Sequence, residues 1–177
     1  DPMLNKQWHY KNTGDETLVS PIKEGCDINV EPAWEFCTGD PSIIVAVMDE
    51  GVMYKHEDLA ANMWVNQAEL NGQKGVDDDG NGYVDDVYGY NFAKDQGDIT
   101  WTDPEDSGHG THVAGTISAV NNNGIGVCGI AGGSGNNDGV KIMSIQTFAG
   151  RYQSTISRNV DAIYYATSMG ASILQCS

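Results

Sequence analysis

Basic residues are scarce in this chain. Its 177 residues hold 9 Lys plus Arg against 25 Asp plus Glu, a formal charge of −16. That balance argues against nucleic acid and anionic membranes as partners and for bound cations or an extracellular, soluble existence. Long apolar runs are missing as well. The longest, Ile43 to Met48, has six residues, far below the ~20 needed for a bilayer-spanning helix, so no membrane span is expected. Neither an initiator Met nor a signal segment opens the chain, which therefore reads as processed or cut. Cysteine is sparse too, with only Cys26, Cys37, Cys128 and Cys176 present, too few for a disulfide scaffold of this size. Cys26 and Cys37 lie close enough in sequence to bridge, whereas Cys128 and Cys176 fall in apolar surroundings and are expected to be buried free thiols.

What is present centres on Ser107-Gly108-His109-Gly110-Thr111-His112-Val113-Ala114-Gly115-Thr116. Glycines on both sides of His109 let backbone approach closely, and Val113, Ala114 and Ile117 provide the small apolar face of a helix that lies on a sheet. His109 is thus presented at a helix start. His112, one turn on, is expected to be its packing or hydrogen-bonding neighbour. Upstream, the run Ile43 to Met48 reads as a buried parallel strand that ends in Asp49-Glu50-Gly51, and catalytic groups gather at the carboxyl ends of such strands. An acid leaving a strand and a histidine opening a helix make two thirds of a nucleophilic relay: the carboxylate orients the imidazole, which takes a proton from a hydroxyl. Ser107, on the same turn as His109, is read as structural. A metal hydrolase with Asp49, His109 and His112 as ligands is a competing reading, but zinc proteases want histidines four apart with a glutamate between them.

Residues 1–28 read as a surface arm, and His9 within it as a packing residue. Residues 29 to 37 read as a short helix with Asn29 as a possible cap, halted by Gly39-Asp40-Pro41. Within residues 72–106, Asp77-Asp78-Asp79-Gly80-Asn81-Gly82-Tyr83-Val84-Asp85-Asp86 places hard oxygens at alternate positions before a sharp turn, as a calcium ion requires. Asp77, Asp79, Asn81 and the Tyr83 carbonyl fall on that spacing, and Asp85 or Asp86 must close the shell. Clustered carboxylates of this density oppose one another without a cation. Residues 141 to 148 read as the next strand, 156 to 169 as a helix, and 170 to 177 as a further strand. Alternating strands and helices imply an α/β fold, a doubly wound, mostly parallel sheet with helices on both faces.

The motifs Val45-Ala46-Val47-Met48-Asp49-Glu50-Gly51-Val52 and Ser107 to Thr116, in the order Asp then His, resemble those of the subtilisin-like serine proteases, the subtilases (peptidase family S8). The likeness runs from near the first residue, where a Gln7-Trp8 arm is similar to the family's. It implies a three-layer α/β fold, a secreted serine endopeptidase, Asp49 and His109 as relay members, and a propeptide as partner. One departure stands at Glu50, where the family usually has Ser or Thr to help hold the aspartate. In Lys55-His56-Glu57-Asp58-Leu59, matching the family's H-P-D-L, Glu57 replaces the proline. There the resemblance implies a second calcium site, formed by Asp58 and the loop Val120 to Val127 with Asn122 among its donors and Gln7 joining from the arm. It also implies a peptide substrate lying as a strand between Tyr152-Gln153-Ser154 and the strand reaching Ser177, held largely by backbone pairing. The family's nucleophile segment G-T-S-x-A and its oxyanion-hole asparagine do not occur in these residues. The chain is therefore expected to be the N-terminal portion of one catalytic domain, truncated and inactive until the C-terminal half supplies the serine. The alternative is a non-catalytic, calcium-stabilised binding module of the same descent.

Overall fold

Alternate residues of one apolar strand serve two cores. In the computed structural model, which describes residues 1–177, Ile44–Asp49 forms β1. Ala46 and Met48 enter a cluster on one face of the sheet, and Val45 and Val47 enter a second on the opposite face. A strand buried on both faces can carry no outward polar residue, which explains the unbroken apolar run.

The other elements follow in chain order. A one-turn helix α1 (Glu31–Trp34) and the short α2 (Gln67–Asn71) precede β2 (Gly89–Asn91). Then come α3 (His109–Ser118), β3 (Lys141–Gln146), α4 (Ile156–Ser168) and β4 (Ile173–Cys176). The four strands run in the order β2-β3-β1-β4 with every pairing parallel. Ala114 of α3 packs with Val45, Val47 and Ile142 on one face. Ala162, Tyr165 and Ala166 of α4 pack with Ala46, Met48, Met143 and Ile145 on the other. Small residues on both helices let them lie close to the sheet, and the expected three-layer α/β arrangement results.

Several expectations need correction. Asn29 does not cap α1: its backbone is left-handed at φ 50°, the N-cap is Val30 with no side-chain bond, and the helix is shorter than residues 29 to 37. Cys26 and Cys37 do not bridge; all four cysteines are free, and Cys176 is exposed at the sheet edge while Cys128 alone is buried. The arm is more than a surface strap. Tyr10 is buried with Val30 and Cys128 in a third small cluster, and its hydroxyl donates to the Cys128 carbonyl at 2.9 Å.

The carboxyl ends of three neighbouring strands change from apolar to polar at one level. Asn91, Gln146 and Asp49 are paired across β2, β3 and β1, and each is fully buried. Each binds the segment beyond. Asn91 accepts from Lys94 N at 3.0 Å, and Gln146 donates to the Glu50 carbonyl at 2.9 Å and accepts from Thr100 N at 2.9 Å. Below this row the buried side chains of the sheet are apolar except Ser144, which accepts from Val52 N at 3.2 Å. Ile142, fully buried in the α3-side cluster, should cost about 2–5 kcal/mol when truncated to Ala, read as a lower denaturation midpoint at unchanged slope in urea.

Candidate active site

The Asp49 carboxylate emerges from the end of β1 wholly shielded from water. Its Oδ2 lies 2.8 Å and its Oδ1 3.0 Å from His109 Nδ1, the ring N–H donating, and Oδ1 also accepts from Glu50 N at 2.8 Å. The imidazole is half exposed. No hydrogen bond of the chain engages its Nε2, which is left to face solvent.

Close approach of two backbones makes this contact, and glycine permits it. A Cβ added at Gly110 would strike the Gly51 carbonyl and sit 3.1 Å from Asp49 Cβ. Gly108 takes the left-handed N-cap position at φ 78° and offers no side chain to the helix. Glu50 reaches over instead: its Oε1 accepts from His109 N at 2.5 Å and from Ser107 N at 3.1 Å. Ser107 Oγ donates to the same carboxylate at 3.3 Å, so its hydroxyl is occupied, as a structural serine's would be.

The hydrogen bond from Asp49, and then its charge, raise the His109 pKa above the ordinary 6.5, with a smaller push from the charge of Glu50 and partial opposition from burial. The Nδ1-protonated tautomer, fixed by Asp49, leaves Nε2 as a proton acceptor. An imidazole held in this way can accept a proton at Nε2 from a hydroxyl presented there.

His112 is not the neighbour of His109 that the sequence suggested. It lines a separate cavity of about 440 Å³ with His9 of the arm and His56, and His9 is lowered in pKa by burial and by the charge of His112. The ring of His9 packs edge-on against Tyr10 at 4.4 Å. Asp49, His109 and His112 are not among the side chains that converge on a possible metal position, which removes the metal-hydrolase geometry.

The convergent set is Glu69, Asp79 and Asp86, whose oxygens lie within 4.8 Å of one another. Asp86 is fully buried, and burial raises its pKa against hydrogen bonds from Tyr165, Asn81 and Asn66. The amide of Asn66 donates to Asp79 at 2.9 Å and to Asp86 at 2.8 Å. That of Asn81 donates to Asp86 at 3.0 Å. Two neutral amides thus stand between the carboxylates. Asp77 closes the turn by accepting from Gly80 N and Gly82 N, both at 2.8 Å. Of the two candidates to complete the shell, Asp86 points in. Asp85 points away, to Gly75 N at 2.9 Å. The ring of Tyr83 packs on Tyr90 and Tyr165, each at 4.7 Å.

Sequence reasoning missed Glu69. Its one signal was Asn66-x-x-Glu69, a capping pattern just before the acidic run. In the fold Glu69 accepts instead from Asp78 N at 2.7 Å and Asp85 N at 2.9 Å, binding α2 to the loop.

At the other implied calcium position, Asp58 does meet the loop after α3, but through Asn123 and not Asn122. Asn123 Nδ2 donates to Asp58 Oδ1 at 2.7 Å and Val127 N to Oδ2 at 2.9 Å. Asn122 turns to the Ser134 carbonyl at 3.2 Å. Gln7 joins through paired bonds with the Cys128 backbone, both at 2.9 Å.

The Tyr152-Gln153-Ser154 segment is partly engaged with its own turn and with α4. Tyr152 spends both its N–H and its carbonyl on Ala149, at 2.8 and 3.0 Å, the Gln153 carbonyl accepts from Arg158 at 3.0 Å, and Ser154 Oγ bonds Asn159 at 2.5 Å. The turn occupies both main-chain polar groups of Tyr152 and the carbonyl of Gln153. Ser177 follows Cys176, which pairs with Met48, and so lies level with Asp49.

A parallel α/β sheet bearing an acid–histidine pair at the carboxyl end of its strands describes the class. The subtilase family model matches residues 40–177, and the chain belongs to that family of serine proteases. It is 56% identical over 90 residues to subtilisin-like protease 1 of Plasmodium vivax, covering 51% of this chain and 14% of that protein. It is 32% identical over 152 residues to a halolysin-like extracellular serine protease of Natrialba magadii, covering 85% of this chain and 23% of that protein. The crystal structure of a complex of Aeromonas sobria serine protease and its chaperone superposes at a TM-score of 0.69 and 25% identity, over 98% of this chain and 24% of that one. The chain thus spans about a quarter or less of these relatives. No helix in it is long and apolar enough to cross a membrane.

Replacing Asp49 by Asn removes the largest cause of the raised His109 pKa, so the imidazole should titrate lower, as followed by the pH dependence of its ring NMR resonances. The sign is that of a raised base. The pair's contribution to stability is fully present below pH 6.5 and is lost as pH rises through the higher folded value.

Proposed function

We propose that the chain is the acid-and-base portion of a secreted serine endopeptidase, with Asp49 and His109 serving a nucleophilic serine supplied by sequence outside these residues. The 2.8 Å bond between Asp49 and His109 Nδ1 carries the reading. His109 Nε2 takes the proton of the serine hydroxyl as its oxygen attacks the scissile carbonyl. The imidazolium, stabilised by Asp49, then passes that proton to the departing amine as the peptide C–N bond breaks. Water repeats the sequence to release the acyl group and regenerate the serine. An extracytoplasmic setting agrees with the acidic composition and with the likeness to the extracellular protease of Natrialba magadii.

Partners follow from what the fold leaves open. Ile156, Val160, Ile163 and Tyr164 of α4 are exposed, Ile156 by 86% and Tyr164 by 73%, and this face suits the rest of the domain or a propeptide. The Aeromonas sobria neighbour is described in complex with a chaperone.

Calcium fits the acidic loop. Glu69, Asp79 and Asp86 offer only hard oxygens within 4.8 Å of one another, with Asn81 and Asp77 beside them. An ion there would neutralise the mutual repulsion of the carboxylates and fasten the loop to α4 through Asp86 and Tyr165. The second position implied by the family resemblance is Asp58, whose two oxygens here accept from Asn123 Nδ2 and Val127 N.

In the full-length protein, Asp49→Asn should lower turnover by about 10⁴ through the wrong imidazole tautomer, and His109→Ala should abolish activity; full peptidase activity without His109 would end the proposal. For the ion, calcium at about a hundred times its dissociation constant should stabilise the fold by ~2.7 kcal/mol relative to chelator. Asp86→Asn and Glu69→Gln should erase that difference while Asp85→Asn keeps it. Identical melting temperatures in calcium and chelator would dismiss the site.

A further inference from the structure

We propose that Glu50 is a positioning residue for His109, holding the peptide backbone at the start of α3 while Asp49 holds the ring. The inference rests on the proteolytic reading above and deepens it at the one position where the relay strand departs from the usual Ser or Thr.

The start of a helix leaves its first N–H groups without intrahelical acceptors. Here Gly108 occupies the cap and has no side chain to serve them. The carboxylate that does so comes from 59 residues away in sequence, with Glu50 Oε1 at 2.5 Å from His109 N. Ser107 N lies 3.1 Å from Oε1 and 3.3 Å from Oε2, and Ser107 Oγ lies 3.3 Å from Oε1. Glu50 is only 6% exposed and has no basic partner, so its charge is balanced by these donors and by the positive end of the α3 dipole.

Glu50 is itself fixed at both backbone ends. Its N–H is bound to Asp49 Oδ1 and its carbonyl to Gln146 Nε2. Consecutive carboxylates from one rigid strand end therefore seize the same histidine, one by Nδ1 and the other by its main chain. A serine or threonine at residue 50 could help Asp49 but would be too short to cap α3. The glutamate exchanges one service for the other, and the direct Glu50 N to Asp49 bond keeps Asp49 oriented without a hydroxyl.

A second consequence is electrostatic. The charged groups acting on the His109 ring are Asp49, by hydrogen bond and charge, and Glu50, by charge. Nearby Asp106 is committed to Asp103 N and Gly150 N, and His112 faces the separate cavity. Gln146, from β3, is neutral. Loss of the Glu50 charge should thus make the imidazolium less favourable.

The test uses the full-length protein with Glu50→Ala and Glu50→Gln. Glu50→Ala loses the cap, and kcat should fall by about 10²-fold with KM nearly unchanged, as for a misplaced catalytic group. Glu50→Gln keeps an oxygen for His109 N, so kcat at the alkaline plateau should return to within about threefold of wild type. In both variants the acid limb of kcat/KM, and the NMR titration of His109, should move to lower pH. The proposal is overturned by wild-type kcat and an unmoved limb in Glu50→Ala, or by a kcat loss that merely tracks a lower active-site titre and is not restored by Gln. If Glu50→Ala does not fold, Glu50→Gln alone decides, and an unmoved His109 titration overturns the proposal. His109→Ala run in parallel separates the two readings. Peptidase activity surviving in it refutes the protease mechanism, while the His109 titration in the Glu50 variants still reports on Glu50.

Discussion

The meeting of Asp49 and His109 depends on how closely the end of β1 can lie against the first turn of α3. The Asp49–His109 bond is the visible product, but the constraint is a backbone contact: the Gly51 carbonyl occupies the space where any Cβ on Gly110 would sit. With that contact made, a hydrogen bond of 2.8 Å between ring and carboxylate needs no further adjustment. Gln146 holds the strand exit from one side through the Glu50 carbonyl, and Glu50 holds the helix entry from the other. The pair is preorganised by neutral amides and one buried carboxylate, a device that costs little reorganisation when a proton moves.

The acidic loop poses the opposite electrostatic problem. Its carboxylates must be kept together although they repel, and the fold does so by interposing the side-chain amides of Asn66 and Asn81 and the hydroxyl of Tyr165, which lies 2.6 Å from Asp86. Tyr165 sits in the core beneath α4 and in an aromatic cluster with Tyr83, Tyr90 and Phe92. The loop is therefore coupled to the sheet face that α4 covers. A cation at Glu69, Asp79 and Asp86 would act on the whole α4 side of the domain.

Legibility in the sequence followed the range of the forces involved. Period and composition are local, so β1, α3, β3 and α4 were readable to within a few residues, and Asp49 and His109 could be named because a strand-end acid and a glycine-flanked histidine are local signals. Asn29 misled because a left-handed backbone, not a cap, satisfied its turn. Glu69 and Asn123 were missed because their roles exist only after distant segments meet. Glu69 receives N–H groups from Asp78 and Asp85, and Asn123 finds Asp58 across 65 residues. His112 was drawn to the wrong partner because helical spacing places it near His109 on a wheel, yet the arm arriving with His9 supplies the cavity that it faces. The cysteine pairing failed for a plainer reason: proximity in sequence does not bring two side chains together, and nothing in the one-turn α1 directs them.

The row Asn91, Gln146 and Asp49 explains why chemistry and stability can share so small a sheet. Below it, the apolar side chains of β1 and β3 enter two hydrocarbon clusters. At it, three strands in register end in buried polar groups, each of which finds partners in the loop or helix beyond. A buried polar group without a partner costs about 1–3 kcal/mol, so each loop is held to the sheet by the penalty of releasing it. Asp49 differs from its neighbours only in what it grips. Asn91 and Gln146 hold groups that never change charge, whereas Asp49 holds an imidazole that can. A position that in the adjoining strands serves to pin a loop becomes, in β1, the support of a titratable ring.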